Sequence, residues 1–147
     1  MFRGRFLHTI DSKGRISIPS KFRDIIIEFY GGKLILTNDL VAKCIAAYTP
    51  KGWEDLEEKV RNVSSMDEDV NAFIRLVFAS AEDCTIDTQG RILIPPRLRE
   101  YASLTKEVLI TGSPKNKFEL WNPGIWEETV SAVDPRTVAK KIAELGI

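Results

Sequence analysis

The sequence predicts an α+β protein built from two tandem, pseudo-symmetric repeats, and three observations carry that expectation. The first is internal similarity. Ile10-Asp-Ser-Lys-Gly-Arg-Ile-Ser-Ile-Pro-Ser-Lys-Phe-Arg-Asp24 aligns without gaps on Ile86-Asp-Thr-Gln-Gly-Arg-Ile-Leu-Ile-Pro-Pro-Arg-Leu-Arg-Glu100, with eight of fifteen positions identical. The second is that the likeness continues downstream with small gaps. Leu34-Ile-Leu-Thr37 resembles Val108-Leu-Ile-Thr111, and Tyr48-Thr-Pro50 with Trp53-Glu54 resembles Trp121-Asn-Pro123 with Trp126-Glu127. The third is that each copy runs through turn, short alternating strand, helix, two strands and closing helices in the same order. Two copies are too few for a solenoid, so each is expected to supply half of one core, with repeats at 1–76 and 77–147.

The elements follow from local chemistry. Asp11-Ser-Lys-Gly14 and Asp87-Thr-Gln-Gly90 place Asp first and Gly fourth, a type I turn signature, and both loops read as hairpin tips. Arg-Ile-x-Ile then alternates as a strand, with Ile16 and Ile18, or Ile92 and Ile94, on one face. Pro19 and Pro95 end it and open a helix. In copy one Phe22, Ile25, Ile26 and Phe29 form its apolar stripe, and Leu98 and Tyr101 do so in copy two. Strands are predicted near 34–37, 44–48, 108–111 and 118–121. Thr49-Pro50, Asn122-Pro123 and Asp134-Pro135 cap later helices, the last ending at Gly146, and Ser65-x-x-Glu68 reads as a capping box. Between Met66 and Ser80 the stripe Val70, Phe73, Ile74 and Val77 is expected to face the sheet.

Composition fits a soluble domain: 147 residues, 44% hydrophobic and 29% charged. No apolar run approaches the roughly 18 residues of a membrane span or forms a signal-peptide core, so a cytoplasmic protein without a membrane partner is expected. Cys44 and Cys84 lack CxxC spacing and nearby His partners, and read as reduced, packed thiols; no metal and no cofactor are expected. The net charge of zero conceals an uneven distribution. Residues 1–23 carry Arg3, Arg5, Lys13, Arg15, Lys21 and Arg23 against Asp11 alone, whereas residues 51–83 carry nine acids against four bases. A basic face of this kind attracts phosphates, although oppositely charged segments can equally pack on one another.

Asp-x-x-Gly-Arg-Ile-x-Ile-Pro occurring twice, after Met-Phe-Arg-Gly, resembles the MraZ family over nearly the whole chain. That family is similar to two tandem SpoVT-AbrB-type modules, and its members are bacterial transcriptional regulators of the division and cell-wall gene cluster. The resemblance implies a swapped-hairpin β-barrel built from both copies with helices outside. It also implies a ring-shaped homo-oligomer, nucleoid association and binding to promoter repeats in double-stranded DNA. The family's Asp-x-x-x-Arg motif falls on Asp11 with Arg15 and on Asp87 with Arg91. Copy two has Gln89 where copy one has Lys13.

Two physical readings of these residues stand side by side. Arg15 and Arg91 can donate bidentate hydrogen bonds to phosphate or guanine edges while Asp11 and Asp87 orient them. Equally, each pair can be a cross-strand ion pair worth at most ~1 kcal/mol with Asp as a turn former. Arg3, Arg5 and Lys13 read as phosphate contacts whose clustering, multiplied by oligomerisation, favours DNA over a merely solvated surface. His8, the single histidine, has no nucleophile spacing around it, and Gly31-Gly32 and Gly112-Ser-Pro read as turns. Trp53, Trp121 and Trp126 read as core or interface aromatics. A sequence-specific DNA-binding regulator therefore leads. The alternative is an antitoxin-like protein-interaction module that sequesters a partner, and no catalytic constellation supports an enzyme.

Overall fold

The computed structural model describes all residues, 1–147. Copy one runs β1 (Arg5–Thr9), β2 (Arg15–Ser17), α1 (Ser20–Tyr30), β3 (Lys33–Asn38), β4 (Ile45–Tyr48), α2 (Pro50–Arg61) and α3 (Glu68–Phe73), the last continuing into a π-helical turn at Ile74–Phe78. Copy two runs β5 (Glu82–Thr85), β6 (Arg91–Leu93), α4 (Pro96–Tyr101), β7 (Glu107–Gly112), β8 (Lys117–Trp121), α5 (Pro123–Ser131) and α6 (Pro135–Glu144). The α+β class and the repeated order of elements agree with the sequence expectation.

The strands form a six-stranded antiparallel sheet in the order β1-β7-β8-β4-β3-β5 and a separate two-stranded ribbon, β2-β6. Exchanging the copies maps this order onto itself reversed, so the sheet carries the pseudo-twofold of the repeat. No ladder joins β1 to β5, so the hydrogen-bonded strands form a six-stranded sheet and a two-stranded ribbon.

Both Asp-x-x-Gly turns are tight. Gly14 N–H donates to the Asp11 carbonyl at 3.0 Å and Asp11 N–H to the Arg15 carbonyl at 2.9 Å, with the same pair of bonds at Gly90–Asp87 and Asp87–Arg91. They are not simple hairpin tips, however, because the strands they join take partners from the other copy. β1 pairs with β7, β5 with β3, and β2 with β6. The core follows from this exchange. Its twenty buried residues come ten from each copy, among them the equivalent pairs Ile16 and Ile92, Ile18 and Ile94, Phe22 and Leu98, and Leu36 and Ile110. Phe2, Phe22 and Phe118 meet there edge to face or tilted, with centroids 5.0–5.3 Å apart. Gly112 is the last residue of β7 and more than a turn residue: the Phe2–Arg3 backbone crosses it so closely that a Cβ would collide with main chain.

Several local expectations change. Pro19 and Pro95 stand one position before the first helical residue. Phe29 lies 64% exposed, so the buried stripe of α1 is Phe22 and Ile26 with Ile25 partly covered. Asp67, not Ser65, caps α3, its carboxylate accepting the Asp69 and Val70 N–H groups at 2.8 and 3.4 Å. The predicted helix across 66–80 is six α-helical residues followed by the π turn, and of its stripe only Val77 is buried. Thr49, Asn122 and Asp134 cap as expected.

Candidate nucleic-acid interface

The β2-β6 ribbon places the two Asp-x-x-x-Arg motifs on one surface. Its register pairs Ile16 with Ile92 at the centre, Arg15 with Leu93, and Ser17 with Arg91. Since side chains alternate along a strand, Ile16 and Ile92 face the core while Arg15, Ser17, Arg91 and Leu93 face outward. The exchange of strands thus brings Arg15 and Arg91, 76 positions apart in the chain, onto the same outer face.

Each arginine is held by its own turn. Asp11 Oδ1 accepts the Lys13 and Arg15 backbone N–H groups, both at 2.9 Å, while Oδ2 accepts Arg15 Nε–H at 2.8 Å. Asp87 repeats the arrangement with Gln89 and Arg91 at 2.9 Å and Arg91 Nε–H at 3.0 Å. The two copies also touch, with Arg91 Nη1 lying 3.9 Å from Asp11 Oδ2. Backbone donors, first among them Arg15 N–H and Arg91 N–H respectively, hold both carboxyls below the ordinary carboxylate range. Nε is the anchored nitrogen in each case, so each guanidinium is fixed in orientation by a group on its own turn.

A second pair of arginines packs beside the ribbon: the sequence counted Arg23 only within the basic stretch 1–23 and left Arg99 without a role. Arg23 lies over Gly90 and Arg99 over Gly14, each from one copy onto the turn of the other. Arg99 is itself held by a 3.0 Å bond from Nε–H to the Ile94 carbonyl. The backbone requires the glycines: their φ values are +83° and +78°, in the left-handed region, while a Cβ on Gly14 would meet only the movable guanidinium end of Arg99. The available signal was the last identity of the fifteen-residue alignment, which is the Arg23 and Arg99 position itself.

The remaining predicted residues are more dispersed. Lys13 is exposed at the tip of its turn. Arg5 lies at the far end of β1, opposite Thr111, roughly 20 Å along the chain from Asp11 at ~3.3 Å per residue. Arg3 is exposed beside Lys21, where the two border an open depression with Met1, Phe22 and Ile25. Arg3 and Arg5 therefore form a separate basic patch. His8 Nδ1–H donates to the Ser17 carbonyl at 2.6 Å and ties β1 to the ribbon.

Away from the ribbon, the ligand atoms of Asp39, Cys44 and Glu119 approach within 4.8 Å of one another. Burial pushes the Cys44 thiol well above its ordinary range and the Cys84 thiol up to about 12, so both are protonated, packed thiols. Trp121 is buried against Trp126 at 5.2 Å, and Trp53 sits between Tyr48 and Phe78 at 5.5 and 4.8 Å. No helix is long and apolar enough to cross a membrane.

Comparison with known proteins converges on the same repeat. A protein of Syntrophobacter fumaroxidans is 45% identical over 126 residues, covering 86% of this chain and 82% of its own. Relatives from Acetivibrio thermocellus and Caldicellulosiruptor saccharolyticus are 45% and 42% identical and are matched from end to end in both chains. All three carry the name Transcriptional regulator MraZ. The family model described as "MraZ protein, putative antitoxin-like" matches twice in tandem, over residues 1–76 and 77–142. With the motif present in both copies and the relatives aligned across its full length, the chain belongs to the MraZ family.

Proposed function

We propose that the protein is a sequence-specific DNA-binding transcriptional regulator that reads promoter repeats of the bacterial division and cell-wall gene cluster through the β2-β6 ribbon. The observation that carries this reading is the gathering of Arg15, Arg91, Arg23 and Arg99 around one two-stranded ribbon, with Arg15 and Arg91 anchored through Nε by carboxylates. A two-stranded ribbon fits the major groove, and an oriented guanidinium is the side chain suited to guanine O6 and N7. Lys13, Arg3 and Arg5 supply phosphate contacts, with the more remote arginines following the backbone beyond the groove.

The two copies contribute unequally. Gln89 replaces Lys13, and the positions equivalent to Arg3 and Arg5 are Ala79 and Ala81. Sheet and ribbon act as the parts of one swapped-hairpin barrel spanning repeats 1–76 and 77–147, with the helices outside. Chains join head to tail into a ring, so that several ribbons meet successive repeats of an operator and avidity rises by up to ~10²–10⁴. Such a regulator works in the cytoplasm at the nucleoid, needs no cofactor and is not an enzyme. The family's antitoxin-like description supports a second reading, sequestration of a partner protein, whose signature is salt-independent association with one protein.

The test uses a promoter fragment from upstream of the chain's own coding sequence. Arg15→Ala is expected to lose operator specificity at about 1–3 kcal/mol per contact, without change in oligomer mass, and Arg91→Ala to lose less. Lys13→Ala is expected to weaken all sequences alike and lower the salt slope by about one per contact. Unchanged affinity and salt slope in Arg15→Ala would reject the ribbon as the reading head.

A further inference from the structure

We propose that Leu93 is a base-reading residue of the ribbon, seating its side chain against the C5-methyl of a thymine next to the base that Arg15 contacts. The inference rests on the reading of the ribbon as the DNA-facing surface and adds a specificity-determining residue to it. It starts from the chemical break in the repeat on the outer face of β2 and β6. Exchanging the copies turns Arg15 into Arg91, but it turns Ser17 into Leu93 and, on the strand before, His8 into Cys84.

The register places this leucine. Ile18 N–H donates to the Gly90 carbonyl and Ile94 N–H to the Gly14 carbonyl, both at 2.9 Å, so ladder bonds fall at 18 with 90 and at 14 with 94. By the alternation of an antiparallel ladder, Arg15 with Leu93 and Ser17 with Arg91 are the pairs without hydrogen bonds between them. Side chains of such pairs stand closest, with Cβ atoms ~4.5–5.5 Å apart. Leu93 is therefore the immediate outer-face neighbour of Arg15, whose Nε is held by Asp11 at 2.8 Å, and it is 54% exposed. The matching place beside Arg91 is polar and already engaged, since Ser17 Oγ lies 3.0 Å from His8 Nδ1.

An exposed leucine is ordinary on a protein surface. What singles this one out is its seat beside an arginine fixed in orientation. The major groove offers one apolar group on its floor, the thymine methyl, and successive nucleotides lie ~3.4 Å apart along the duplex axis. Side chains ~5 Å apart thus meet neighbouring base pairs when the ribbon lies in the groove. With Arg15 on guanine O6 and N7, Leu93 falls against the adjacent base edge. A thymine methyl there covers the leucine, whereas the other bases set a polar group against it without a hydrogen-bond partner. A serine hydroxyl accepts any base, so the Arg91 end carries no such preference.

The test titrates the full-length chain with the promoter fragment from upstream of its own coding sequence. Thymines of the element that the protein protects from nuclease are replaced one at a time by deoxyuridine, which removes the methyl and keeps the base pair. Wild type is expected to lose about three- to fivefold in affinity at one position, adjacent to a guanine whose contribution Arg15→Ala removes, as loss of one buried methyl-sized group does. Leu93→Ala is expected to bind the thymine fragment weakly by a similar factor and to treat uracil and thymine alike there. Its oligomer mass and salt slope are expected to stay those of wild type, because no phosphate contact is lost. Leu93→Met, still apolar, is expected to keep the discrimination. A wild type indifferent to uracil throughout the element, a Leu93→Ala chain that still discriminates, or a changed oligomer mass in that variant each overturn the proposal. If Arg15→Ala also keeps its affinity and salt slope, the ribbon reading falls as well; if Arg15→Ala loses the operator while Leu93→Ala still discriminates, the role of Leu93 alone is rejected.

Discussion

One carboxylate at Asp11 performs two tasks that the sequence left as alternatives. Oδ1 closes the turn on two backbone N–H groups, and Oδ2 fixes Arg15 Nε, so turn former and arginine holder are the same side chain. Asp11 and Asp87 both have folded-state pKa values below their ordinary ones, so their stabilisation is present above the ordinary value and is lost as pH falls through the folded one. Acid therefore releases the arginines as it opens the turns. Glu119 behaves in the opposite sense, because desolvation raises its pKa despite the Trp121 indole N–H at 3.1 Å and Lys117 at 3.9 Å. Its favourable contribution belongs to low pH and disappears as pH rises through the folded value. Glu119→Gln is accordingly expected to unfold at a higher temperature than wild type at neutral pH, with the difference shrinking on acidification; thermal melts at pH 7 and pH 4 check this. The pairs 11 with 15 and 87 with 91 were legible because they lie four residues apart. The seats of Arg23 on Gly90 and Arg99 on Gly14 were not, since they join residues of different copies.

Among the elements, α3 shows how a local signal can be displaced by a stronger neighbour. Ser65-x-x-Glu68 has the spacing of a capping box, but Asp67 reaches two N–H groups of the first turn and starts the helix at Glu68. Ser65 serves through its carbonyl, which accepts Asn71 Nδ2–H at 3.0 Å. Asp67→Ala is expected to cost about 1 kcal/mol, as loss of an N-cap does, while Ser65→Ala changes stability by less than about 0.5 kcal/mol. Urea titration of the two variants distinguishes them. The apolar stripe predicted for this segment fails for a different reason. The Ala79 N–H bonds to the Ile74 carbonyl five residues back, and this wider turn breaks the 3.6-residue period. Val77 reaches the sheet, where its carbonyl accepts Thr37 Oγ1–H at 2.6 Å, and Phe78 turns to Trp53.

At the scale of the molecule, neither copy holds a complete set of strand partners. Without residues 77–147, β1 has no β7, β3 has no β5, β2 has no β6, and half of the twenty-residue core is missing. A fragment of residues 1–76 is therefore expected to lack a cooperative thermal transition, in line with the marginal stability of a few short strands. Circular dichroism and sedimentation on the isolated fragment check it, and a cooperatively unfolding monomer would show that the copies are separable domains.

By itself the sequence determined the repeat, both turns, the alternating strands and most of the helix starts. Each depends on residues within about five positions, where backbone sterics and side-chain capping act directly. Tertiary structure alone decided which strand lies beside which. β1 could have folded back on β2 of its own copy, because the alternating pattern that suits pairing is the same in both copies and carries no label for its partner. Forming one shared core selected β7 instead, and with that exchange came the ribbon that sets Arg15 beside Arg91.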